Sequence, residues 1–229
     1  MSESNLDPSL PDRPADHRLS PVRFPIALLV GVVILSGLLW ILARVIWLPA
    51  YFGVFFFLVA GMLAGAASFR VARPLRPMRR GRVAAGVAAV TVVSSGIGLV
   101  WEYQYRAATI GELPRFASAY QDAQQRGLSA ATVATQARQA FDELLRAQYT
   151  PGATIGYVRW AVAAGTARLT LPGGFSEEVS IGHRGWAWLL RTLAAYGLLA
   201  VGLWYQLEAL RQATPTNNIL PPGAEVLEE

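Results

Sequence analysis

Four runs of apolar residues, each long enough to cross a bilayer, are separated by short basic stretches or by one long polar stretch. Between Phe24 and Ala43 there is no charged residue. About twenty residues in a helix, at roughly 1.5 Å each, reach the ~30 Å of a hydrocarbon core. A cleaved signal peptide is the rival for this first run, but its apolar part should be shorter and end in a small-x-small site, whereas this run continues through Trp40, Ile41 and Leu42. Arg44, Trp47, Pro49 and Tyr51 mark an exit, with rings suited to the headgroup layer and a Pro tolerated at the first turn of a new helix. The second run, 50–69, carries Phe55, Phe56 and Phe57 and then a stretch of Ala and Gly in which Gly61 and Gly65 make a GxxxG spacing. That spacing is read as a helix-packing face within the chain, ahead of a dimer face.

The third run, 83–101, is rich in Ala, Val, Gly and Ser, as in a helix surrounded by helices. The fourth, 185–207, is broken only by Arg191, less than two turns from the Trp186 boundary, where a guanidinium can snorkel to the interface.

The long polar stretch, 102–184, is the one place with room for a folded unit in water, and a unit so small has a thin core. Residues 116–126 after Pro114 read as a short helix ended by Gly127. Ser129 then caps a second helix, in which Val133, Ala137, Ala140, Phe141, Leu144 and Leu145 recur at helical spacing. Arg138, Asp142 and Arg146 recur at intervals of four on another, wet face. After Pro151 and Gly152 the pattern alternates, so that 157–162, 169–171 and 179–181 read as three short strands joined by turns at Ala164–Gly165 and Pro172–Gly174. The expected fold class is therefore membrane α-helical: four transmembrane helices, with one small α+β extramembrane domain, two helices then a three-stranded antiparallel meander, between helices 3 and 4.

Charge orients this object. Arg70, Arg73, Arg76, Arg79, Arg80 and Arg82 fill the loop 70–82 with no acidic residue among them, and short loops of this kind stay cytoplasmic. Arg13, Arg18 and Arg23 before the first run and Arg211 after the fourth agree, which places both termini inside and 102–184 outside a plasma or inner membrane. Five of the loop arginines, 70, 73, 76, 79 and 82, are spaced by three with Pro74 and Pro77 between them. In a polyproline II conformation they would form one positive ridge able to hold anionic lipid, a reading that ranks behind the loop's plain role as a topology determinant. Pro74, Pro77 and Arg79 also match a short PxxPxR pattern, which carries little when pressed against a membrane. The ends, 1–23 with Pro8, Pro11 and Pro14, and 208–229 with Pro221 and Pro222, read as disordered cytoplasmic tails without a lipidation signal.

Composition narrows the chemistry. Hydrophobic residues make up 53% and charged residues 15%, too lean for a water-facing surface over the whole chain. The net charge of +5 gathers beside the apolar runs, so it points to a membrane surface and not to nucleic acid. The basic residues are all Arg. With no Cys, and with His17 and His183 far apart, neither a thiolate nor a metal cluster is legible, and no cofactor is expected. Adjacent acids at Asp142–Glu143 and Glu177–Glu178 point apart in a helix or a strand and read as solvated surface. Arg191 is the one charge inside a run, and Glu102 ends the third run on the same side, so the two are expected to form an intramembrane ion pair. Three function classes follow, in order: a non-enzymatic membrane or envelope component whose extracytoplasmic domain binds a partner, a transporter or permease component, and a membrane enzyme acting on lipid. For the second, Thr91, Ser94 and Ser95 are the polar candidates along a path.

Overall fold

The computed structural model describes residues 22–45, 50–110, 120–121, 125–127, 129–170, 176–181 and 185–212. Six α-helices and one hairpin are described: α1 Arg23–Val45, α2 Ala50–Ala72, α3 Arg80–Thr109, α4 Ala130–Gln148, α5 Ala153–Ala163, β1 Thr166–Thr170, β2 Ser176–Ser180 and α6 Gly185–Leu207. Short 3-10 turns, Arg73–Leu75 and Glu208–Arg211, follow α2 and α6. Helices α1, α2, α3 and α6 are each long and apolar enough to cross a membrane, as a multi-pass membrane protein requires.

These four helices form a bundle. Helix α6 lies along α2, α1 packs against α2 and α3, and α3 also meets α6. Leu35, Leu39, Phe57, Val83, Val90, Leu199 and Leu203 fill its centre. The α2–α6 seam is close because glycines face backbone across it: a Cβ on Gly61 would run into the Leu199 carbonyl, and one on Gly202 into the Leu58 carbonyl. A Cβ on Gly65 would sit 2.8 Å from that of Gln206. Small residues admit this approach where no hydrophobic drive exists between lipid-bathed helices.

At one end of the bundle, β1, β2, α4 and α5 form a head. Ser129 caps α4 by accepting from the Thr132 N–H at 3.2 Å. The buried stripe of α4 is Val133, Ala137, Phe141 and Leu145, every fourth residue in turn. The chain then reverses through Gly152, whose φ of 83° suits glycine, and enters α5. The buried face of α5 is Gly156, Tyr157, Trp160 and Ala161, and Trp160 meets Phe141 edge-on with ring centroids 5.2 Å apart. Leu169, Val179 and Ile181 close this core over the hairpin, whose antiparallel register pairs Thr166 with Ser180 and Thr170 with Ser176.

The expected first strand over 157–162 is helix α5, so the sheet has two strands and not three. Six residues satisfy both periods: Val158, Trp160 and Val162 alternate, while Tyr157, Trp160 and Ala161 lie one helical turn apart. Packing of the second set against Phe141 and Trp188 decides the outcome. The expected helix 116–126, the turn at Pro172–Gly174, His183 with Arg184, and both tails fall wholly or largely outside the described residues.

Candidate functional site

Helix α3 is the structural link between bundle and head. Its 30 residues reach about 45 Å, well beyond a hydrocarbon core, so its last turns project into the head instead of ending at Trp101. Nothing in Glu102–Thr109 breaks a helix, because the run contains no Gly or Pro.

Four hydrogen bonds fasten this projection. Glu102 Oε1 accepts from the Tyr157 hydroxyl of α5 at 3.0 Å and from the Trp188 indole N–H of α6, also at 3.0 Å. The Tyr103 hydroxyl donates to Asp142 Oδ1 of α4 at 2.7 Å, and the Arg138 guanidinium donates to the Ala108 carbonyl. The face carrying Arg138 and Asp142 is expected from the sequence to be wet; instead these two residues turn onto α3, which supplies the Tyr103 phenol and the Ala108 carbonyl of its last turn. Tyr157 and Trp188 rings also meet edge-on, with centroids 6.3 Å apart. Carboxylate, phenol and indole thus form one node at which three helices from distant parts of the chain converge.

Burial pushes the Tyr157 phenol well above its ordinary value near 10, and the neighbouring Glu102 charge adds to the rise, while Arg106 and Arg191 oppose it. Because the folded value is the higher one, the proton is held more tightly in the folded state, and stability falls as pH rises above the unfolded value. Alkaline titration followed by tyrosinate absorbance is expected to show buried phenols, Tyr157 among them, that resist ionisation until the head opens. A full set of tyrosines ionising near pH 10 with the head intact excludes this.

The carboxylate of Glu102 is thus occupied by a phenol and an indole, while Arg191 bears electrostatically on Tyr157 from α6. Sequence reasoning missed Tyr157 and Trp188 as partners, since they lie 55 and 86 residues away in the chain. The one available signal was a Trp within the first turn of the fourth run, where an indole needs an acceptor.

The opposite end of the bundle carries the arginines. They do not make a continuous polyproline ridge: Arg70 lies in α2, Arg73 in a 3-10 turn, and Arg82 in α3. Both flanking helices run into the loop because arginine is a good helix former and only Pro74 and Pro77 interrupt it. Arg70, Arg73, Arg79 and Arg82 are exposed, whereas Arg76 folds over the Phe69 ring at 4.5 Å. The Met78 N–H donates to the Leu210 carbonyl at 2.9 Å, which ties the loop to the turn after α6 and sets Arg211 at the same end. The first turn of α3 has no acidic residue and no side-chain cap.

Within the bundle, Ser95 turns back to the Thr91 carbonyl of its own helix at 2.7 Å, and Ser94 is fully buried. Among the described residues no group of three metal-ligating side chains is gathered. No family model, curated protein or solved structure matches the chain.

Proposed function

We propose that the chain is a non-enzymatic membrane or envelope component that presents its head on the extracytoplasmic side as a fixed surface for a protein partner. The observation that carries this reading is the node at Glu102: hydrogen bonds from α5 and α6 to one carboxylate of α3 hold the head in one pose on the bundle. A docking surface gains affinity from such fixation, because the ordering cost is met before the partner arrives. The partner-facing surface is the exposed side of α4, with Thr135, Gln139, Glu143 and Arg146.

The natural chain has no Cys, so single cysteines report its topology without background. Gln139→Cys is expected to react with an impermeant maleimide from the outside of intact cells, and Arg79→Cys only after permeabilisation. A photocrosslinker at Gln139 or Thr135 is expected to capture one defined envelope or membrane protein, and a reagent at Val92 only lipid. Inverted labelling, or no protein captured from either head position, removes the reading.

The arginine end supports a second contact, with anionic lipid of the cytoplasmic leaflet. The uncapped start of α3 adds its positive dipole end to the exposed arginines. Neutralising Arg79, Arg80 and Arg82 to Gln is expected to cost about 1 kcal/mol per residue in retention of phosphatidylglycerol, with phosphatidylcholine retention unchanged. Lipid analysis of detergent-purified protein at low and high salt measures it, and equal retention of both lipids by the parent chain excludes the contact.

A further inference from the structure

The head core uses one face of α5 and leaves the other bare. Ile155 and Val162 are seven residues apart, hence on one stripe of the helix, and are 57% and 39% exposed. Arg159 is exposed between them, and its guanidinium donates to the Thr150 carbonyl.

The Val162 end of this stripe is held against the bundle by a backbone contact. Gly185, the first residue of α6, lies against the Val162 carbonyl so closely that a Cβ could not be placed between them, and the Ala161 carbonyl would be 3.0 Å from it. The next residue, Trp186, is 70% exposed and begins an apolar stripe down α6 through Leu190, Leu193 and Val201 that faces away from the bundle core. In a membrane that stripe meets acyl chains, and a Trp at its head end sits in the headgroup layer. The bare stripe of α5 approaches it at the Val162 end, where the Val162 carbonyl meets Gly185, the residue before Trp186. Two aliphatic side chains flanking an arginine make a surface suited to the boundary between headgroups and acyl chains, where the apolar groups dip inward and the guanidinium stays hydrated.

We infer that α5 is an interfacial helix whose Ile155–Arg159–Val162 stripe lies in the headgroup layer of the leaflet on the head side. Its occupant is lipid, not a protein. The lipid contact sets the height and tilt of the head, and leaves the α4 side, pointing into water, for a partner. The inference rests on α6 being a membrane span that starts near Gly185, so its test carries a separate control for that reading.

Single cysteines at 155, 162, 139 and 190 are spin-labelled, and the protein is reconstituted into vesicles of phosphatidylethanolamine and phosphatidylglycerol. Collision with oxygen, which concentrates in the bilayer, is compared with collision with a water-soluble nickel chelate. The stripe is expected to show several-fold more oxygen than chelate contact at both 155 and 162, as at 190, and the reverse at 139. If 190 reports lipid while 155 and 162 report water, the interfacial helix is wrong and the span stands. If 155 and 162 are shielded from both reagents, protein covers the stripe and the inference is equally wrong. If 190 itself reports water, the membrane reading fails with it. All four positions are exposed, so the labels leave the buried faces intact. Ile155→Ser and Val162→Ser provide a label-free second arm: increased proteolysis of the head in vesicles but not in detergent is expected, and equal cleavage in both overturns the proposal.

Discussion

Gly202→Ala is expected to disassemble the bundle, while Gly197→Ala in the same helix is expected to leave it unchanged or slightly firmer. The two substitutions share chemistry and helix propensity, and differ in what the new methyl meets. At Gly197 nothing lies within 4 Å, so alanine gains only the helix-propensity difference, about 0.5–1 kcal/mol. At Gly202 the methyl runs into the Leu58 carbonyl and comes within 2.8 Å of the Met62 backbone nitrogen, and backbone atoms cannot rotate away as a side chain can. Overpacking costs about 1–3 kcal/mol even where side chains yield. A backbone obstacle belongs at the top of that range or above it, since relief requires α6 to move off α2 along the longest seam in the bundle. Gly61→Ala is expected to match Gly202→Ala, because its methyl meets the Leu199 carbonyl on the other side of the same seam. Monodisperse yield in mild detergent and the midpoint of denaturation by a stronger one provide the measurement. Equal behaviour of the 197 and 202 variants would mean that α2 and α6 are not packed as described.

That seam shows what the sequence makes legible. Four spans could be read because each apolar run meets the length that a bilayer demands, and Gly61 with Gly65 mark a face by spacing alone. Gly202 carries no such mark, and its partner, Leu58, lies more than a hundred residues away. Where a span stops is written less clearly. The stretch Glu102–Arg106 is polar enough to read as the start of a loop, but nothing in it opposes a helix, and α3 continues until Thr109, just before Gly111 and Pro114. In the head, the cap at Ser129 and the stripe of α4 are local signals and are seen in the structure as read. Helix α5 was hidden because a six-residue window of β-branched and aromatic residues fits both periods, and tertiary packing of Tyr157 and Trp160 decides between them. At the arginine end, spacing by three describes the sequence, but Arg70 and Arg82 adopt the helices that flank them.

The node at Glu102 yields the most discriminating experiment on the candidate site. Glu102→Ala is expected to release the head from the bundle, because it strands the Tyr157 hydroxyl and the Trp188 indole N–H at once, and each buried donor left unpaired costs about 1–3 kcal/mol. Glu102→Gln keeps an acceptor oxygen of the same shape and removes the charge, so it is expected to preserve much of the docking. Amide exchange over α4 and α5 reads the difference: strong deprotection in the Ala variant, with protection largely retained in the Gln variant. If both variants exchange like the parent chain, the node does not hold the head, and the proposed function loses the observation it stands on. If both deprotect equally, it is the charge that holds the head, and this outcome points to Arg191. The expected ion pair can then be tested by a double-mutant cycle of Glu102→Ala and Arg191→Ala. Losses that add mean that Arg191 snorkels independently to the interface and that Glu102 acts through its phenol and indole partners alone. Losses that fail to add show that the guanidinium and the carboxylate act as one unit.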